Sequence, residues 1–297
     1  MGRFKLTIIL SFFITGFLQS QVELAKAEME LAYDCDVMVN AFEARHRLTA
    51  MSKFNESFLK TLENNGSFKY PFDSLKWISK KYPKDNTFRI ITWEVNAGNG
   101  EYKYFGVLQT PDDRLIVLED GFKQAVSVLD EEFGADSWLG SVYYNIMDVT
   151  TNKGEKYYLL YGFNKWNLFE NVKLIDVLFF TKEGVPYFGK PVFKNGIDSK
   201  EKSTYHRLVF KYASDAQMTL NYNPGMEMIM VDHLVKRMSR VPGQGETMVP
   251  DGSYVGYVWQ DNYWMRIDKI ANEVMETAPR PKPILDQQKG KKIFGNN

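Results

Sequence analysis

The chain has 297 residues, with 37 basic and 37 acidic side chains, 44% hydrophobic residues and 15% aromatic ones. The even charge excludes the strongly basic face that a nucleic-acid partner requires, and the ordinary hydrophobic content excludes wholesale disorder. A single cysteine, Cys35, excludes an intrachain disulfide and a cysteine-based zinc cluster.

Residues 1–20 read as a signal peptide. Arg3 and Lys5 form a basic start, Leu6 to Leu18 is apolar apart from small polar residues, and Ser20 offers a small residue before Gln21. The run is short for a membrane span with stop-transfer flanks, though an uncleaved N-terminal anchor is the competing reading. The expectation is an exported protein, periplasmic or extracellular, with no transmembrane segment after cleavage. Loss of Arg3 and Lys5 would leave the remainder slightly acidic.

Residues 21–84 read as an N-terminal helical segment. No Gly or Pro interrupts Gln21 to Asn65, and Leu24, Leu31, Cys35, Met38 and Phe42 fall on one helical stripe. Leu48, Met51, Phe58 and Leu62 continue the spacing on a shifted face. One long helix or a bent pair is expected, with Gly66 as a C-cap. A shorter helix is expected over Ser74 to Lys81, stopped by Pro83. Cys35 lies on the apolar stripe beside Asp34 and Asp36, which predicts a buried, inert thiol.

From residue 85 to 276 the hydrophobic period changes to two. In "FRIITWEV", Arg89, Ile91, Trp93 and Val95 share one face, and Ile90, Thr92 and Glu94 share the other. About a dozen further short strands follow, joined by hairpin loops at "NKGE", "KEGV" and "QDNY" and by an expected type II turn at "NPGM". A helix over Gln124 to Phe133 is the one expected interruption. The lone Gly-x-Gly of "PGQGE" reads as a loop. The fold class is mainly β: an antiparallel meander forming stacked sheets, with a propeller-like arrangement as the alternative. "YYLLYGF" is apolar on both faces, so its sheet must be covered twice. Residues 277–297, with Pro279, Pro281 and Pro283 alternating with Arg280 and Lys282, read as a Pro-rich basic strap over the body. A docking peptide for a partner is the alternative.

The blocks "YYLLYGF", "DVLFF", "GVPYFGKPVF", "VPDGSYVGY" and "APRPKPILD" resemble an uncharacterised family of exported proteins of Bacteroidota. The resemblance implies export and β structure; it implies no activity, cofactor or catalytic residue.

Motifs for phosphate loops, zinc proteases and serine nucleophile elbows are absent from the sequence. Four ionisable residues stand out. Asp176 shares a strand face with Leu174, Leu178 and Phe180, where a carboxylate is costly unless it binds backbone donors or clamps an Arg or Tyr. His206, Asp232 and His233 also fall in apolar strands, and with Asp176 they are the candidates for acid–base chemistry. Tryptophans beside amides suggest a sugar-binding face, with Trp166, Asn164 and Asn167 as its candidate residues; completion of the core is the competing role. No cofactor or metal site is assigned. The leading expectation is a non-catalytic binding or structural protein of the cell envelope, its partner an unknown envelope component or glycan. The alternative is an extracytoplasmic hydrolase acting on glycans or peptides.

Overall fold

The computed structural model describes residues 2–196, 204–268 and 270, with side chains from Ser20 onward. The strap at residues 277–297 lies outside the described residues. The chain builds four layers: a helical pair and three β-sheets stacked on it. Helix α1 (Gly2–Asn40) and helix α2 (Ala44–Leu62) are the bent pair. Leu24, Leu31, Cys35 and Met38 are buried as their spacing requires, but Phe42 is 97% exposed because α1 stops at Asn40, before the stripe reaches it. No described helix is long and apolar enough to cross a membrane.

The first sheet has the order β1 (Ser79–Lys81), β2 (Arg89–Gly98), β3 (Glu101–Gln109) and β4 (Leu115–Leu118). Ile91, Trp93, Val95 and Val107 meet the helices on one face. Ile90, Tyr104, Leu108 and Leu118 on the other face meet the second sheet. That sheet contains β5 (Val142–Thr150), β6 (Lys156–Asn164), β7 (Glu170–Phe180), the short β8 (Pro186–Phe188) and a later strand described below. The third sheet takes β9 (Phe193–Lys194) and β10 (Thr204–Tyr205). The chain then returns to the second sheet as β11 (Leu208–Ala213), which pairs with β7. The remaining strands, β12 (Leu220–Asn223), β13 (Met228–Met238), β14 (Glu246–Gln260) and β15 (Tyr263–Ile267), complete the third sheet. Among the described residues every strand pairing is antiparallel except β15 with β9.

The second sheet is covered twice. Tyr158 and Leu160 face the first sheet while Tyr157, Leu159 and Tyr161 face the third. Leu159 and Leu160 are both fully buried, and a fully buried aliphatic side chain contributes about 1.5–3 kcal/mol. In a propeller every blade packs between two other blades; here the first sheet has the helices on its outer face, so the sandwich-like stack replaces the propeller-like alternative.

Several local expectations are corrected. Ser74 to Lys81 is not helical: Leu75 and Ile78 are buried, but Ser79–Lys81 extends as the edge of the first sheet against Ile90–Thr92. Eight residues pay for helix nucleation with little propagation, and the ladder gives the same backbone groups better partners. Gln124 to Phe133 is a run of turns. Its Val128 and Glu131 carbonyls accept hydrogen bonds from Arg207, and Phe133 exchanges two backbone bonds of 2.8 Å with Phe188. Gly66 is left-handed (φ 83°) but leads into a 3-10 turn over Ser67–Lys69 rather than closing α2. At "NPGM" the left-handed residue is Glu227 rather than Gly225. Asn223 Oδ1 instead accepts the Gly225 and Met226 N–H groups at 2.9 and 3.2 Å. Strands β5 to β8 share the second sheet, whereas β9 leaves for the third and β11 arrives at the edge of β7.

Candidate functional site

Asp176, Asp232 and His233 take separate partners. Asp176 is fully buried on β7, where the edge partner changes from β11 (ending at Ile175) to β8 (beginning at Leu178). Arg207, also fully buried, fills that seam. Its Nε donates to Asp176 Oδ1 at 3.0 Å, Nη2 to the Phe188 carbonyl at 2.9 Å and Nη1 to the Glu131 carbonyl at 2.8 Å and to that of Val128. The Phe133 ring caps the guanidinium at 4.7 Å. Asp176 Oδ1 also accepts the Val177 N–H, while Oδ2 is buried with no partner among the described residues. His206 precedes this arginine. Burial lowers its imidazole below the ordinary histidine range, and its Nδ1 is buried without a hydrogen bond.

An irregularity in the third sheet brings His233 to Asp251 rather than to its neighbour Asp232. Asp232 pairs with Tyr254 and Leu234 with Pro250, so Asp251, Gly252 and Ser253 of β14 lie opposite His233 alone. Gly252 turns with φ 89°, a left-handed value that suits a residue with no Cβ. In the bulge Asp251 Oδ1 accepts the Ser253 N–H at 2.9 Å and its hydroxyl at 2.7 Å, and Oδ2 sits 2.8 Å from His233 Nδ1. The Ser253 hydroxyl and the imidazole hold Asp251 down at about 2. Asp232 turns elsewhere: its Oδ2 accepts the Thr219 N–H at 2.7 Å. Lys173 lies within its electrostatic reach, and burial lowers that ammonium.

Beside the bulge lies an open hollow of about 280 Å³ between β11 on one wall and β13–β14 on the other. Val209, Phe210 and Lys211 form the first wall, and Asp232, His233 and Tyr257 belong to the second. Chemically the hollow offers apolar surface and fixed charges. Its one visible dyad, His233–Asp251, has no nucleophile in line, because the Ser253 hydroxyl is spent on Asp251. Among the described residues, no group of three or more His, Cys, Asp or Glu could hold a metal ion.

The tryptophan face takes a different form from the one expected. Trp166 is half-buried rather than exposed: the Phe122 ring meets it edge-on at 5.1 Å and Lys211 Nζ lies 4.4 Å over it. Asn164 is buried, with its amide donated to the Gly140 carbonyl at 2.5 Å. Asn167 Oδ1 accepts the N–H groups of Phe169 and Glu170, closing the loop before β7. These three side chains hold the loop before β7. Trp138 and Trp264 belong to the core.

Two polar centres, the buried Arg89 and the half-buried Glu94, escape a reading by pattern. Arg89 is fully enclosed. Its Nε donates to Gln109 Oε1 at 2.7 Å, Nη2 to the Ser67 carbonyl at 2.8 Å, and Nη1 to the Tyr70 carbonyl and Tyr82 hydroxyl, each at 2.9 Å. Glu94 has an Oε2 with no partner among the described residues, and burial raises its carboxyl above the ordinary range. The only available signal was an Arg or Glu set in a period-two apolar strand. No family model and no curated protein matches the chain.

Proposed function

We propose that this is an exported, non-catalytic binding or structural protein of the cell envelope, and that it holds its ligand in the hollow between β11 and the bulged β13–β14 pair. One observation supports this above others. Three of the ionisable side chains that could have served acid–base chemistry take different partners (Arg207 for Asp176, the Thr219 N–H for Asp232, Asp251 for His233), while the hollow itself combines apolar walls with a few fixed polar groups, as binding sites do. The hydrolase alternative rests on the half-exposed His233–Asp251 pair alone.

The test compares the purified chain with its Lys211→Glu variant, both checked for equal thermal stability, as baits in an extract of the native envelope. An envelope component retained by the first and lost by the second is the expected result. Identical retained sets would remove the hollow from the proposal. Turnover of glycan or peptide substrates that disappears in His233→Asn would replace binding with hydrolysis.

A further inference from the structure

A second hollow, of about 270 Å³, lies where the loop between β11 and β12 meets the turn of the β13–β14 hairpin. Both walls are pinned to one atom. The Phe169 carbonyl accepts the Ser214 N–H at 2.8 Å from the first wall and the Gln244 side-chain amide at 3.3 Å from the second. The hairpin turn is also fixed within itself. The Ser239 N–H donates to the Gly245 carbonyl at 2.8 Å, and the Ser239 hydroxyl donates to Gln244 Oε1 while accepting the Val241 N–H at 3.0 Å. A backbone held in this way lowers the ordering cost of binding.

The hollow collects unpaired charge. Arg237 and Arg240 are exposed and line it, and neither makes an ion pair or a hydrogen bond with a described residue. Arg47, Arg89 and Arg207, by contrast, all serve backbone carbonyls. Asp215 is the carboxylate of the lining and is likewise unpaired, so the balance stays positive. Directly across the ladder from Arg237 stands Thr247, whose side chain is buried and lines the same hollow. Its hydroxyl has no hydrogen-bond partner among the described residues, whereas a buried hydroxyl ordinarily finds one.

Two guanidinium forks and a spare hydroxyl call for an anion with several acceptor oxygens. A planar carboxylate fills one fork. A phosphate monoester brings three acceptor oxygens and a charge of about −1.5 to −2, enough for both forks and the hydroxyl. We infer that this hollow binds a phosphate monoester, with Arg237 and Arg240 gripping its oxygens and the Thr247 hydroxyl donating to one of them. Asp215 opposes the anion and limits the affinity. The site is separate from the hollow beside His233 and does not depend on it.

The test titrates phenyl phosphate and phenyl sulfate, which carries a single charge, into the full chain by calorimetry, with variants matched for thermal stability. Phenyl phosphate is expected to bind, and the sulfate to bind about tenfold more weakly. Arg237→Gln and Arg240→Gln should each weaken phosphate binding about tenfold or more, and Thr247→Val about threefold or more. Asp215→Asn should tighten it, because the opposing charge is gone. Affinity should fall as pH drops through about 6, where the monoester takes up a proton. Vesicles of phosphatidylcholine containing phosphatidic acid separate the sources: sedimentation with them that phenyl phosphate reverses assigns a lipid-borne monoester, and its absence a soluble one. No phenyl phosphate binding at about 1 mM, or unchanged binding by the double arginine variant or by Thr247→Val, would overturn the inference. So would weaker binding by Lys211→Glu, which would move the anion to the other hollow.

Discussion

Single buried charges carry the sharpest consequences of this fold. Arg207 neutralises Asp176 and also serves three backbone carbonyls, so Arg207→Met strands a carboxylate and its acceptors together. A loss of about 3–5 kcal/mol is expected in urea denaturation. The double variant Asp176→Leu/Arg207→Met is expected to recover part of it, because the unpaired charge is gone. Glu94 gives a pH signature. Its folded carboxyl holds the proton above the ordinary value of 4.5, so the native state binds more protons than the unfolded chain, and stability falls as pH rises from about 4.5 through the raised value. Glu94→Gln removes that loss. Its melting temperature relative to the parent chain is expected to be higher at pH 7 than at pH 4; equal differences at both would show that burial does not shift the group. Asp176 was legible as a problem, since its neighbours on both faces are apolar. Its solution was not, because Arg207 lies 31 positions away in the bend between β10 and β11, brought there only by tertiary pairing.

At the scale of elements, three hairpin loops share one design. Thr110–Arg114, Thr151–Glu155 and Thr181–Val185 each close with a backbone bond between their ends and a left-handed fourth residue, which is Asp113, Gly154 and Gly184 in turn. Glycine takes that conformation without a Cβ penalty. Asp113 is tolerated there because its carboxylate accepts the Gly66 and Phe68 N–H groups, each at 3.0 Å, and the Gln109 amide at 3.2 Å. The loop thus fastens the 3-10 turn after α2 to the first sheet. Gly154→Ala meets open space and is expected to cost about 1 kcal/mol from backbone conformation alone. Asp113→Ala should cost about 1.5–3 kcal/mol, because charge-assisted bonds between two layers are lost. Thermal denaturation of both variants checks the order. The glycines were legible as turn signals, and so were the strands they join. The expected helices at Ser74 and Gln124 failed because short apolar spacings fit a helix or a packed turn equally, and the sheet edge and Arg207 decided between them.

For the whole molecule, the stack makes Cys35 a reporter of its outermost layer. The thiol is 1% exposed between the helices and the first sheet, and burial pushes it up to about 11. A disulfide reagent at pH 8 is expected to leave it unlabelled in the native protein and to label it once denaturant lifts the helical layer. Labelling that precedes loss of β-sheet circular dichroism would show that the helices detach first; coincident transitions would make the four layers one cooperative unit.

The sequence by itself determined the types of the long elements, though not of the short segments at Ser74 and Gln124. Period-two alternation and two-sided apolar strands are local consequences of which side chains need cover, and they called for helices followed by stacked antiparallel sheets. Only the tertiary structure decided which strands share a sheet and which arginine meets which carboxylate. Those are contacts between residues far apart in the chain, and side-chain periodicity carries no information about the partner on the other side of the interface.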